Sequence, residues 1–313
     1  MSVLVTGAAG FVGRALVTKL LAEGQGVIAL DRSLHGLDAH ERLTRIEGDL
    51  RQANILASAF EAGARSVVHL VSLPGGAAEA DPDLSFAVNV EASLTLMGEA
   101  ARRLDRPRFV YSSSIAVFGD PLPEAGVDDA TPLRPRLIYG LHKRMVEDAL
   151  ATLTRRGELD AVGLRLPGIV ARPEGAAGLK SAFMSDVFHA IAAGRTITLP
   201  VSRQAEVWLM SVQQTAACLA HAVSMDTAFL PEDRVVTLPA LRVTMEALVV
   251  AIAAANGQSV CDVRYQADEA LEAAFGRHPI LSTPAAERAG FRHDGSVEAL
   301  VRRALEACGA QPG

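Results

Sequence analysis

Tyr139 and Lys143 stand four residues apart in a stretch whose apolar spacing predicts a helix, so one face carries both side chains. A phenol with an ordinary pKa of about 10 is a poor base at neutral pH. A neighbouring ammonium stabilises the phenolate and brings it toward the working range. Ser114 follows a predicted strand ending at Tyr111, and the carboxyl ends of strands are where open α/β sheets hold ligands. Its hydroxyl can hold a substrate oxygen while Tyr139 removes or returns a proton. Taken singly, these signals are plain: the Tyr–Lys spacing also suits two surface residues, and Ser112-Ser113-Ser114 also suits a strand-end cap. Their order along the chain, behind a glycine-rich turn, favours the chemical reading.

That turn is Gly7-Ala8-Ala9-Gly10-Phe11-Val12-Gly13, directly after a β-rich run and directly before a helical pattern. Glycine permits the sharp turn, the close approach of a phosphate and the tight packing of helix on sheet. The helix N-terminus then offers free N–H groups and partial positive charge to a pyrophosphate. Asp31 ends the next predicted strand, where a carboxylate accepts the ribose hydroxyls of NAD and repels the extra phosphate of NADP. Arg32 beside it keeps the other cofactor open, because a guanidinium would welcome that phosphate. With NAD bound, the positive nicotinamide ring adds to Lys143 in stabilising a Tyr139 phenolate, and Lys143 can also grip the nicotinamide ribose.

Bulk properties suit such an enzyme. The chain has 313 residues, half of them apolar, and a formal net charge of −6 without a basic stripe, so nucleic acid is not an expected partner. Cys218, Cys261 and Cys308 lie far apart with no CxxC pair, which reads as reduced thiols and neither a disulfide frame nor a zinc site. Met1 leads almost at once into Val3-Leu4-Val5 with no secretory signal pattern, and apolar runs such as Ala247 to Ala255 fall short of the ~20 residues of a membrane span. A soluble, cytoplasmic protein with no membrane partner is expected. The histidines show no metal-ligand spacing, and no metal is needed for this chemistry. His69 is expected to pack behind the first crevice residues; His142 is expected to point away from the Tyr139–Lys143 face, into solvent.

The elements that must carry these residues alternate. Strands are predicted at Val3–Thr6, Val27–Leu30, Leu43–Ile46, Ser66–Val71, Arg108–Tyr111 and Ala161–Leu166, with helices at Phe11–Ala22, 84–104 and 138–156. Parallel strands need crossover connections, so the rhythm predicts a Rossmann-type doubly wound parallel sheet in an α/β fold. Residues 120–135 form a proline-rich acidic loop. Beyond Pro167 glycine and proline are frequent through Gly178, then helical patterns dominate near 181–193, 212–223, 243–255 and 296–307. We read 1–165 as the cofactor domain and 166–313 as a smaller substrate-binding domain, with segments near 205–225 returning to the first.

The motifs TGAAGFVG (6–13), GDL (48–50), HLVS (69–72), YSSSIAVFG (111–119), YGLHK (139–143) and LRLPGIVARP (164–173) together resemble the extended short-chain dehydrogenase/reductase family. That family includes nucleotide-sugar epimerases, dehydratases and sugar-acid dehydrogenases. The resemblance is strong over residues 1–225 and weak beyond. It implies Tyr139 as proton acceptor, Lys143 as its partner and Ser114 as the substrate-orienting hydroxyl. It implies that Asp49 and Leu50 flank the adenine and that Leu70, Val71, Ser72 and Ser112 line the cofactor groove. The Pro167 to Val170 segment, with Ile169, would meet the nicotinamide amide. Asn89 resembles the asparagine found in the helix behind such sites, though a helix-surface amide fits as well. The helices near 84–104 and 138–156 imply a homodimer through a four-helix bundle, although buried core helices have the same periodicity.

The sequence departs from two branches of that family. Dehydratases carry an acidic pair after the active-site hydroxyl residue; here Ile115 and Ala116 stand there. Nucleotide-sugar epimerases place an arginine on the substrate diphosphate; the matching stretch, Glu206 to Gln214, has none. The first departure disfavours dehydration and the second favours a smaller substrate. The resemblance to the sugar-acid dehydrogenases of the family implies a small sugar acid or polyol, oxidised at a secondary hydroxyl with hydride passing to NAD. A sugar acid needs a counter-charge, for which Arg172, Lys180 and Arg203 are candidates, or else solvated surface cations. Gly75 and Gly76 let backbone N–H groups approach a carboxylate. Ser72 and Trp208 complete the substrate candidates, although core packing suits Trp208 better. A nucleotide-sugar 4-epimerase that retains its NAD and a non-catalytic dinucleotide sensor are the competing readings, the latter disfavoured by an intact Ser114–Tyr139–Lys143 set.

Overall fold

The computed structural model describes residues 2–119, 121–174, 180–257 and 262–308. Asp120, Gly178 and Cys261 lie outside the described residues.

Strands β1 (Ser2–Thr6), β2 (Gly26–Asp31), β3 (Leu43–Glu47), β4 (Ala64–His69), β5 (Arg108–Ser114) and β6 (Asp160–Leu166) are rich in valine, isoleucine and leucine, as strands buried on both faces must be. Later come β7 (Gly168–Val170), β8 (Ile197–Leu199), β9 (Glu206–Ser211), β10 (Val235–Thr237), β11 (Leu241–Thr244) and β12 (Val263–Tyr265). The central sheet has seven strands in the order β10-β6-β5-β4-β1-β2-β3. Every pairing in it is parallel. This is a doubly wound Rossmann-type α/β sheet. The chain reverses direction of travel between β1 and β4, which opens a ligand crevice at their carboxyl ends.

Two apolar cores flank the sheet. One joins Leu16, Val17 and Leu20 of helix Phe11–Ala22 to Leu219 and Ala222 of helix Val212–Ser224. The other joins Leu56, Leu96, Met97, Val146 and Leu150 from helices Ala53–Glu61, Ala92–Arg103 and Ile138–Arg155. A third core, centred on Phe188, Leu209, Leu248 and Leu300, lies under a small sheet ordered β11-β9-β7. Within 205–225, helix Val212–Ser224 therefore packs against the Rossmann layer while β9 pairs with β7 and β11. The short strand β10 joins the edge of the large sheet through β6, a return that its three residues do not announce.

The predicted 84–104 helix is in three pieces: Pro82–Phe86, a π-helical turn Ala87–Glu91, and Ala92–Arg103. Proline at the first turn and the Asp81 carboxylate, which accepts the Leu84 N–H at 3.0 Å, start the first piece. The π-turn advances the chain by one residue and turns Asn89 inward.

Candidate active site

At the carboxyl end of β1, Gly7 adopts φ +73°, and a Cβ there would meet Val71 N at 3.0 Å. At Gly13 a Cβ would lie 2.0 Å from the Gly7 carbonyl oxygen. These two positions admit no side chain, so backbone closes on backbone and the first turn of helix Phe11–Ala22 faces an open cleft. Gly10, with φ −68°, is an ordinary N-cap. Asp31 Oδ2 accepts the Ala9 N–H at 3.0 Å and Oδ1 accepts the Arg32 N–H at 2.7 Å, which ties the end of β2 to the turn.

The cleft encloses about 240 Å³ and is lined by Gly7, Gly10, Asp31, Arg32, Asp49, Leu50, Leu70, Val71 and Ser72. Arg51 also lines it and grips Asp49 at 2.7 Å, holding that carboxyl at about 2, well below its usual range. Sequence reasoning did not single out Arg51. A cradle without Cβ atoms and a carboxylate at the end of β2 fit the pyrophosphate and ribose of NAD. Phe11 and Val12 open the helix behind that cradle.

Helix Ile138–Arg155 places Tyr139 and Lys143 above the end of β5. Its first turn lacks a side-chain cap of its own; instead Glu79, from the short helix Gly75–Ala80, accepts the Ile138 N–H at 2.6 Å. Lys143 is buried, donates to the Ser112 carbonyl at 2.7 Å, and has its Nζ 5.5 Å from the centre of the Tyr139 ring. Desolvation pulls Lys143 down to about 7, against the opposing pull of Glu147. Tyr139 is raised by burial, against the hydroxyls of Ser72 and Ser114 and the charge of Arg172. The expectation of a phenol brought toward neutrality is therefore not met by the chain alone: burial wins until a further positive charge arrives. Ser72 Oγ is buried beside the phenol and makes no other hydrogen bond among the described residues. Ser114 Oγ accepts the Ala116 N–H at 3.2 Å, and Ser112 Oγ donates to the His69 carbonyl at 3.0 Å.

Arg172 follows β7, with its guanidinium 5.3 Å from the centre of the Phe11 ring and its field acting on Tyr139. No carboxylate pairs with it among the described residues. Arg203, by contrast, pairs with Glu246 at 3.1 Å, and Lys180 is exposed. Gly75 and Gly76 form the first turn of the short helix above the cleft. Pro167, Ile169 and Val170 are buried.

His142 departs from expectation, while Trp208 and Asn89 each fall on one of their two readings. Trp208 is fully buried among Val117, Phe118 and Val127 and donates its indole N–H to the Pro279 carbonyl at 2.8 Å, so it packs the core and offers no face to a substrate. His142 is buried, not exposed: helix Pro82–Phe86 covers it, with Ser85 Oγ 2.9 Å from Nδ1 and the Phe86 ring edge-on. Asn89 is no surface amide: it is buried in the helix behind the cleft. Its Oδ1 accepts the Leu73 N–H at 2.7 Å and its Nδ2 donates to the Leu73 carbonyl at 2.9 Å, clamping the segment that carries Ser72. His69 is buried between Thr6 and Ser93, held at about 3 by desolvation and therefore neutral.

Sequence reasoning also passed over Glu147, Arg165 and Ser113, which form a buried cluster one helical turn beyond Lys143. The signal was available: Tyr139, Lys143 and Glu147 fall at successive four-residue steps on one helix face.

No helix among the described residues is long and apolar enough to cross a membrane, and none of their His, Cys, Asp and Glu side chains gather into a metal-holding group. Residues 3–236 match the model of the NAD dependent epimerase/dehydratase family. A D-erythronate dehydrogenase from Cupriavidus necator is 34% identical, covering 99% of both chains. Another from Haemophilus influenzae is 26% identical over 98% of this chain and 99% of its own. A crystal structure of a nucleoside-diphosphate-sugar epimerase from Agrobacterium tumefaciens superposes with a TM-score of 0.88 at 26% identity, covering 100% of this chain and 96% of that one. The chain belongs to the NAD dependent epimerase/dehydratase family and is an NAD-dependent oxidoreductase acting on a CH–OH group.

Proposed function

We propose that the protein oxidises the C2 hydroxyl of a small sugar acid, D-erythronate in the first instance, to the 2-oxo acid. The observation that carries this reading is Arg172: a half-buried guanidinium beside Tyr139 with no carboxylate partner among the described residues. A partly desolvated cation of that kind favours an anion, and a carboxylate one bond from the reacting carbon supplies it. The full-length similarity to two D-erythronate dehydrogenases supports the choice. So does the resemblance of residues 75–90 and 112–124 to that enzyme. The missing arginine in Glu206 to Gln214 argues against a substrate diphosphate.

Bound NAD supplies the hydride acceptor. In our reading Ser114 and Ser72 hold the substrate hydroxyl, and Tyr139 takes its proton as the C–H bond breaks. Lys143, anchored on the Ser112 carbonyl, holds the ribose side of the cofactor and keeps positive charge against the phenolate. Arg172 and the backbone N–H groups of Gly75 and Gly76 orient the carboxylate. Exposed Leu84, Phe86, Leu94, Leu141 and Met145 lie on the helices flanking the site and support a homodimer through that face. A cytoplasmic location belongs to the same reading, in keeping with the free thiols of Cys218 and Cys308.

Purified protein given NAD and D-erythronate should form NADH in step with substrate consumed. Arg172→Gln should raise KM for the acid by about 10- to 100-fold, the value of a charge-assisted hydrogen bond, while leaving NADH affinity alone. The competing epimerase reading gains if NAD stays bound and a nucleotide sugar is converted without net NADH.

A further inference from the structure

Beneath the catalytic pair lies a charge cluster with no part in the reaction above. Glu147 and Arg165 are both buried, and their side chains meet twice: Oε1 accepts Arg165 Nε–H at 3.0 Å and Oε2 accepts Arg165 Nη2–H at 2.8 Å. Ser113 Oγ–H donates to the same Glu147 Oε1. Ser113 and Arg165 are register partners on β5 and β6, so both reach the helix from one face of the sheet. The Arg165 guanidinium also lies 5.3 Å from the centre of the Phe118 ring.

The three consecutive serines thereby meet three consecutive turns of the helix. Ser114 faces Tyr139, the Ser112 carbonyl holds Lys143, and Ser113 holds Glu147. A buried ion pair is a poor source of net stability, because desolvation offsets most of the attraction. Its retention beside a reacting lysine asks for another explanation.

We propose that Glu147 is a positioning residue: braced by Ser113 and Arg165, it fixes the helix on β5 and β6 and supplies the negative charge that keeps the buried Lys143 ammonium in place. The groups facing Lys143 are Tyr139 and Glu147 on its own helix, Tyr111 on β5 with its ring centre 4.9 Å from Nζ, and His69 on β4. Arg165 on β6 reaches it through Glu147, and Arg172 faces Tyr139 from beyond β7. Burial keeps Tyr111 and His69 neutral, which leaves Glu147, with its partner Arg165, as the negative charge acting on the ammonium from its own helix. Glu147 favours the ammonium, and Arg165, a like charge, opposes it.

The chain contains only three lysines, Lys19, Lys143 and Lys180. Lys19 sits in an exposed pair with Glu23 and Lys180 is exposed, so a protein labelled with ¹³Cε-lysine resolves the Lys143 titration directly by NMR. Glu147→Gln keeps the shape and the acceptor for Ser113 but leaves Arg165 uncompensated. It should lower the Lys143 midpoint by about one pH unit or more. Arg165→Met leaves Glu147 with Lys143 as its nearest counter-ion and should raise it. The double variant, with no buried charge unpaired, should fall between Glu147→Gln and the wild type. Loss of packing alone would not move the two single variants in opposite directions. A Glu147→Gln midpoint at or above that of the wild type, or single variants that move together, overturns the proposal. If Glu147→Gln does not fold, a double variant titrating at or above the wild type overturns it equally. These titrations need no substrate, so they stand whether or not D-erythronate is turned over. The kinetic counterpart, the Lys143-dependent limb of kcat/KM moving in the same order, rests on the proposed activity.

Discussion

The glycines of the cofactor turn are not equivalent, and replacing them one at a time by alanine should separate them. At Gly13 the new methyl would sit 2.0 Å from the Gly7 carbonyl oxygen and 2.7 Å from that of Ala8. Both neighbours are backbone, so no rotamer relieves the contact, and the helix must move away from the turn by more than an ångström. Overpacking of this kind costs about 3 kcal/mol at the upper end of its range, or about 6 °C in Tm for a chain of this class. The same displacement takes the N–H groups of the helix away from the pyrophosphate. Losing one charge-assisted hydrogen bond, about 1.5–3 kcal/mol, weakens NADH binding by about 10- to 100-fold. At Gly10 the backbone is already at φ −68° and the nearest atom to a new methyl is 3.2 Å away. Gly10→Ala should therefore keep its Tm within about 2 °C, since the neighbour needs to give by only a few tenths of an ångström. Thermal unfolding and NADH fluorescence titration read both effects. A Gly13→Ala protein as stable as Gly10→Ala and binding NADH as tightly as the wild type would refute the argument that close backbone approach explains the turn.

Tyr139→Phe should cut kcat by about 10²- to 10⁴-fold with NADH affinity unchanged, because only the proton transfer is lost; stopped-flow with D-erythronate and fluorescence titration check the two halves. Acid should destabilise the fold in a defined window. His278, whose Nδ1 accepts the Trp208 N–H at 2.9 Å, is held by burial at about 4, and His69 at about 3. The unfolded chain takes up these protons below about pH 6.5 and the folded chain does not, so stability is full above that pH and falls as pH drops toward 4. His278 alone accounts for about 3 kcal/mol of that fall, and His278→Asn should flatten the slope of unfolding free energy against pH over the same window. Leu141→Glu, at an exposed position on the catalytic helix, should convert a dimer to monomer in light scattering; a dimer that persists argues for another interface.

What the sequence made legible was local chemistry. The glycine turn, Asp31, Ser114, Tyr139 and Lys143 each depend on neighbours within a strand, a turn or a helix, so spacing alone locates them. The parallel sheet followed for the same reason, since alternating β-rich and helical runs leave few topologies. What spacing cannot decide has a different cause. His142 was placed in solvent because helix periodicity divides residues into an inner and an outer face, and the outer face here is covered by Pro82–Phe86. Trp208 could be assigned to core or cleft only by knowing that Phe118 and Pro279 close around it. The strand β10 is three residues long and returns to the sheet across the chain from its partner, which no window of sequence contains.

Glu147 belongs to neither group, and it shows how far the local reading could have been pushed. A carboxylate four residues after Lys143 was visible, and on a surface helix it would be an ordinary ion pair worth a few tenths of a kcal/mol. Two other features were visible with it: a third serine between Ser112 and Ser114, and an arginine inside the otherwise apolar run Ala161 to Leu166. A charge in the middle of a strand buried on both faces needs a partner, because an isolated guanidinium there is too costly to keep. The partner must come from an element packed on the same strand, and helix 138–156 is the one that follows β5 and precedes β6. Arg165 therefore points to Glu147 from the sequence alone. What hides it is that a residue's possible action on a substrate is legible one residue at a time, whereas the buried charge it must satisfy is legible only from two elements together.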